Sequence, residues 1–411
     1  MQAPNGKRNM ERMEESVSDF NYEATQRFIS ESTWSHDDVY DAVAKSADEK
    51  FRGRADTCLL IDDSGFAKKG GESAGVSRQW NGRLGKVDNC QIGVFCSLNS
   101  GNEVIPVQAK LYLPEEWTLD QARMEKAKIP SAHQAFKTKH VLALEMIDRQ
   151  VKNNIHFNWI GADGFYGNAP EFLREIAARK LTFMLDVHSD QHVYLTHPEP
   201  EIPEPGLRGR TPTQFKSSET PIRVDKLIAR QKPDAWKLVK IRDITKGPLK
   251  VETLNLHVWL WNGKESNAKG WTLVVTRDSK TKKDLKYSLS NAPDQCSDKQ
   301  LAFMQRQRYW IENAFETAKS TCGLADYQVR SWVAWHHHVA MVFLAMLFIV
   351  EEKKAAPDHA NLLSPNDVRE LLMHFLPQKK HDPEEIFRQL ESRHLKRQRS
   401  FDSAMRLHGD G

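Results

Sequence analysis

The chain has 411 residues, with 59 Lys and Arg against 55 Asp and Glu, a formal net charge of +4 and an apolar share of 39%. This length exceeds one compact domain of ordinary size, so two domains, or one with a large insertion, are expected. The slight basic excess permits a polyanionic partner without demanding one. Five scattered cysteines, never in a CxxC spacing, exclude a zinc framework or disulfide scaffold and read as reduced intracellular thiols. The polar start MQAPNGKRNMERMEE carries no secretory signal. The longest apolar run, Val339 to Val350, falls short of the roughly 20 residues that span a bilayer, so it reads as a buried helix and no membrane partner is expected.

In chain order, residues 11 to 50 read as helical, with Ser35 an N-cap before HDDVYDAVAKSA. From 57 to 113, TCLLID, NCQIGVFCSL and EVIPVQAKLYL read as a three-stranded antiparallel meander whose first strand stops at Asp62 and Asp63. Helical stretches follow at Leu119 to Lys128 and Gln134 to Val151. Next comes a βαβ unit: strand HFNWIGAD (156 to 163), a Gly-Phe-Tyr-Gly turn, helix 169 to 180 and strand LTFMLDV (181 to 187). Antiparallel strands, a helix, then alternating parallel elements is the order of a ribonuclease-H-like sheet. From 190 to 297 a Pro- and Gly-rich loop and the segments WKLVKI, LNLHVWLW, GWTLVVTR and KYSLS read as a separate β-rich unit. An amphipathic helix is predicted from Asp298 to Cys322, followed by two further helices and the basic tail RHLKRQRS.

Asp62, Asp63 and Asp163 are all predicted at strand ends, where side chains from several strands can converge and hold hard cations such as Mg²⁺. Taken singly, each is an ordinary turn-capping aspartate. At about 100° per residue, Gln305, Arg308, Glu312, Glu316 and Lys319 share one helix stripe. Alone, that stripe is a solvated face with i,i+4 pairs. His336 to His338 point in three directions on a helix and cannot converge on one metal, so they read as packing residues. Trp236, Trp259, Trp261 and Trp271 read mainly as core.

Together, IDDSGFAKKG, GADGFYG and RYWIENAFETAK, in that order and spacing, resemble the DDE transposases of bacterial insertion sequences. The branch is the one with Tyr, two residues, Arg, three residues, Glu, six residues and Lys around its catalytic glutamate. Arg308, Glu312 and Lys319 meet those counts, and Gln305 stands where the family has Tyr. GVSRQWNGRLGKVDNCQIGVF, KYSLSNAP and RSWVAWHHHVAM extend the resemblance from about residue 20 to 375.

The resemblance implies an α/β fold: a ribonuclease-H-like mixed sheet with flanking helices, interrupted by a β-rich insertion, plus helical N- and C-terminal segments. The corresponding divisions are a helical segment at 1–55, catalytic parts at 56–189 and 298–350 around an insertion at 190–297, and C-terminal helices with a basic tail at 351–411. Asp63, Asp163 and Glu312 would hold two Mg²⁺ ions, with Mn²⁺ as a substitute, for phosphodiester hydrolysis and strand transfer. Arg308, Lys319 and Gln305 would contact DNA backbone, as would Lys68 and Lys69. The partners would be double-stranded DNA, as terminal inverted repeats and target, and a second copy on paired ends, in bacterial cytoplasm at the nucleoid. Because strand side chains alternate, one of Asp62 and Asp63 faces the metals; Asp63 is taken, with Asp62 a support residue facing away. Glu316 competes with Glu312, which the spacing favours. The alternative is a catalytically silent, transposase-derived DNA-binding regulator.

Overall fold

The structure, a computed structural model, describes residues 7–205, 212–244, 247–355, 363–375, 377–379 and 382–408. Helices α1 (Met10–Ser16), α2 (Tyr22–Ser30) and α3 (His36–Phe51) come first, N-capped by the side chains of Asn9, Asn21 and Ser35. Strands β1 (Thr57–Ala67), β2 (Ser77–Asn81), β3 (Lys86–Ser100) and β4 (Glu103–Leu111) follow. β1 runs antiparallel to β3, which also pairs β2 and β4. The expected meander is therefore β1, β3 and β4, with β2 added by the hairpin before β3. The first strand does not stop at the two acids but continues to Ala67.

After α4 (Glu115–Thr118), α5 (Gln121–Lys126) and α6 (Lys139–Lys152) comes the βαβ unit. It consists of β5 (Trp159–Ala162), α7 (Gly164–Gly167), α8 (Pro170–Ala178) and β6 (Phe183–Val187). β5 lies between β1 and β6 and is parallel to both. A small pair, β7 (His192–Val193) and β8 (Ile222–Arg223), precedes α9 (Val224–Ala229). Then β9 (Lys237–Ile244), β10 (Gly247–Leu260), β11 (Lys269–Asp278) and β12 (Lys286–Ser290) form an antiparallel series. Part of the Pro- and Gly-rich loop of this region lies outside the described residues.

β12 pairs with β6, so this series continues the central sheet. The result is one ten-stranded sheet, ordered β2-β3-β1-β5-β6-β12-β11-β10-β9, with β4 on β3. The β-rich segment is thus an extension of the sheet rather than a unit standing apart from it.

The helices α10 (Asp298–Gln307), α11 (Tyr309–Ser320), α12 (Trp332–Ala355), α13 (Pro365–Phe375) and α14 (Pro383–His408) complete the chain. The expected helix from Asp298 is α10 and α11, divided at Arg308, whose own torsions remain helical. A capping box of Ser297 and Gln300 starts it.

Side chains alternate across β1 and sort its neighbours onto two faces. Cys58 and Leu60 pack with Leu301, Met304 and Ile311 of α10 and α11. Leu59 and Ile61 join the larger core with residues of α3, α6 and α12. Helices cover both faces of a mixed sheet, which is the ribonuclease-H-like arrangement. Among the described residues α12 alone is long and apolar enough to cross a membrane, yet 61% of its most apolar window is buried within the protein. It is a core helix.

Gly167, at the end of α7, sits so close to β6 that an added Cβ would lie 1.9 Å from the Asp186 carbonyl oxygen. Gly167→Ala should therefore force α7 and β6 apart and lower stability by about 1–3 kcal/mol in a urea titration.

Candidate active site

The pairing of β1 with β5 ends at Ile61 opposite Ala162. The next residue on each strand is an aspartate, Asp62 and Asp163, so both acids emerge where the strands part. Asp163 also caps α7, its carboxylate accepting the Phe165 amide hydrogen at 3.1 Å. Asp62 follows Cys58 and Leu60 onto the face of α10 and α11, and Asp63 follows Leu59 and Ile61 onto the opposite face. Asp63 is there paired with Lys139 of α6, Nζ to Oδ2 at 2.9 Å. Asp62 accepts the Asp63 amide hydrogen at 2.7 Å and lies 4.0 Å from Arg308. The orientation expected for this pair is thus reversed: Asp62, not Asp63, shares a face with the Glu312 helix.

Arg308 binds the far parts of the site together. Its Nε donates to Asp186 Oδ2 at 2.6 Å, and its Nη1 reaches Glu312 Oε1 at 2.8 Å. Glu312 is half-exposed, one turn further along α11. Glu316 is exposed as well, and Arg308 selects Glu312 by i,i+4 reach. Lys319, two turns beyond, donates to Ser64 Oγ at 2.7 Å, on the same face of β1 as Asp62.

Gln305 is 2% exposed. Thr276 donates to its Oε1, while its Nε2 faces Ser288 Oγ at 2.9 Å and the Val274 carbonyl at 3.0 Å. The amide is turned into the protein interior, away from the solvent-facing position that the expected DNA backbone contact needs. Lys68 lies over the Tyr327 ring, 3.4 Å from its centre, while Lys69 is exposed. His336 and His337 are buried against backbone, His337 between the carbonyls of Ile29 and Trp34. Trp271 is buried against Phe183, and Arg277 covers Trp236. The five cysteines are unpaired.

Burial is the main cause that lifts the Asp62 carboxyl well above the usual carboxylate range, with the charges of Asp163 and Asp63 adding to it. Asp163 is raised for the same reasons, burial first and then Asp63. Both are held back in part by the Arg308 charge. Lys319 moves the other way, down to about 8, through burial and the nearby Arg83.

As the side chains stand, no three His, Cys, Asp or Glu groups among the described residues close on a common metal position. Glu312 is paired with Arg308. The donor chemistry still fits a hard divalent cation, because Asp62 and Asp163 are crowded, mutually repelling oxygen donors that an added positive charge would stabilise. Three further residues here carried no assignment from sequence. Asp186 had a signal, as an acid in the otherwise apolar strand FMLDV. Ser288 lies in KYSLSNAP, which the resemblance covers without singling it out, and Lys139 had no signal.

Residues 1–248, more than half of the chain, match the DDE superfamily endonucleases. The chain belongs to this family. The matched span holds Asp62, Asp63, Asp163 and Asp186 and stops before Glu312. The chain is also 26% identical over 179 residues to the probable transposase for insertion sequence element IS701 of Microchaete diplosiphon. The alignment covers 42% of this chain and 42% of that relative.

A carboxyl whose folded pKa is raised above its unfolded value, 3.8 for Asp62, favours the fold while protonated. Its contribution is lost as pH climbs through that raised value. Asp62→Asn should therefore stabilise the metal-free protein at pH 7. The gain should vanish near pH 3, as read by thermal melts in chelator.

Proposed function

We propose that this DDE endonuclease is a transposase that cuts DNA at insertion-sequence ends and joins the freed strand to a target, working as an oligomer on paired ends. The carrying observation is the convergence of Asp62 and Asp163 at the parting of β1 and β5, with Glu312 on the helix that packs the same face. The relative from Microchaete diplosiphon, a probable transposase, supports the choice of reaction.

In this reading Asp62, Asp163 and Glu312 hold two Mg²⁺ ions, for which Mn²⁺ substitutes. Asp62 takes the place first expected of Asp63, because it shares the face of Glu312. The ions would lower the pKa of an attacking water or 3′-hydroxyl and stabilise charge on the leaving oxygen. The chain's own residues do the positioning. Asp163 is held at the strand end by the backbone amides of Phe165 and Tyr166. Lys319 supplies one cation for backbone phosphate on the face of Asp62, and exposed Lys69 another at the end of β1. Lys139 pairs with Asp63 on the opposite face.

The test uses the purified protein, Mg²⁺ and a plasmid carrying the gene with its flanking DNA. Asp163→Ala and Glu312→Ala should abolish cutting and joining while the fold persists. Asp62→Asn should abolish both and Asp63→Asn should retain cutting; the opposite order returns the first ligand to Asp63. Wild-type protein that binds the flanking DNA without nicking it would sink the reading in favour of a silent regulator.

The lowered Lys319 pKa sets a pH dependence with a definite sign. Below about 8 the side chain is an ammonium able to hold phosphate, and above it that contact weakens. DNA affinity by fluorescence anisotropy should fall between pH 7 and pH 9 in wild type. Lys319→Arg, which stays charged, should show a much smaller fall.

A further inference from the structure

A chain of polar contacts, buried at its start and open at its end, leads from the outer sheet to Glu312, and the metal-binding reading does not use it. Gln305 Nε2 faces Ser288 Oγ at 2.9 Å, and Ser288 donates to Asp186 Oδ1 at 2.6 Å. Asp186 Oδ2 accepts from Arg308 Nε at 2.6 Å, and Arg308 Nη1 reaches Glu312 at 2.8 Å. Asp186 is tied down from several sides. Its strand pairs it with Ser288 on β12, and Gly167 closes against its carbonyl.

Its carboxylate therefore has one oxygen fixed by Ser288 and the other fixed on Arg308. That leaves the guanidinium only one short contact toward the acids of the site, Nη1 to Glu312, with Asp62 at 4.0 Å. A guanidinium without that anchor can turn its planar fork and grip a single carboxylate through two parallel hydrogen bonds.

We propose that Asp186 is a positioning residue that keeps Arg308 at 4.0 Å from Asp62 and limits it to one short contact with Glu312, so that a divalent cation can displace it from these carboxylates. Gln305 and Ser288 are the supports that hold Asp186 in that role. The inference rests on the reading of Asp62, Asp163 and Glu312 as metal ligands. It adds a competition: the protein's own arginine and the metal seek the same oxygens, and Asp186 sets the balance.

The experiment measures Mn²⁺ binding by the electron paramagnetic resonance signal of free Mn²⁺, without DNA and without turnover. The proteins are wild type, Asp186→Asn, Ser288→Ala, Arg308→Gln and Asp186→Asn combined with Arg308→Gln. Asp186→Asn should weaken Mn²⁺ binding about tenfold, and Ser288→Ala should weaken it in the same direction by a smaller factor. In the Arg308→Gln background Asp186→Asn should have no further effect, because the competitor is gone. A purely structural Asp186 would produce the same loss in both backgrounds, and that overturns the proposal. So does Mn²⁺ affinity within twofold of wild type in Asp186→Asn. If Asp186→Asn does not fold, Ser288→Ala with and without Arg308→Gln carries the same decision. Wild type that binds Mn²⁺ while these variants match it defeats this inference alone. Folded wild type that binds none defeats the metal reading and this inference with it.

Discussion

Like-charged carboxylates held in a half-dry site repel one another, and the structure around Asp62, Asp63 and Asp163 is organised by that repulsion. The parallel pairing of β1 and β5 brings two of these acids to the same level and then ends, so neither can retreat along its strand. Alternation gives the third its own face and its own lysine. What remains on the side of α11 is an electrostatic demand for positive charge, met in this state by Arg308. A catalytic cation would enter a place already prepared by the fold.

Arg308 shows why residues that look interchangeable in a stripe are not. Gln305, Arg308, Glu312 and Lys319 share a helix face by spacing, but α10 presses its part of the face against β11 and β12 while α11 carries its part past the end of β6. Burial falls from Gln305 through Arg308 to Glu312 and rises again at Lys319. Gln305 is enclosed, Arg308 is mostly buried, and Glu312 is half-exposed. A neutral amide suits the enclosed end, because it satisfies backbone and hydroxyl partners without bringing a charge out of water.

Strands β3 and β4, the start of β1, the βαβ unit and the helical stretch that holds Glu312 were legible in the sequence from their periodicity and caps, whereas β2 and the division at Arg308 were not. Asp163 was legible too, as an acid directly followed by a Gly-containing turn. Local pattern misled where the outcome depends on a distant partner. β1 runs through Asp62 and Asp63 because β3 continues to pair with it after β5 has ended, and no window around TCLLIDD contains β3. The facing of the two acids turned on which helix lay on which side, a property of packing. Asp186, Ser288 and Lys139 come to the site only through sheet order and helix placement. The continuity of β12 with β6 is likewise a long-range pairing, invisible to a reading that saw a change of texture near residue 190.

That continuity has a consequence for how the molecule can diversify. A segment inserted between two halves of a fold is ordinarily a free module, exchangeable among relatives at little cost to the chemistry. Here the last strand of the segment supplies Ser288, which holds Asp186, which holds Arg308. Replacing residues 190–297 with a relative's version would change what holds Asp186 unless the new segment kept a hydroxyl at the place of Ser288 that still meets Gln305, which lies outside it. The outer sheet and the carboxylate cluster are joined by side-chain contacts.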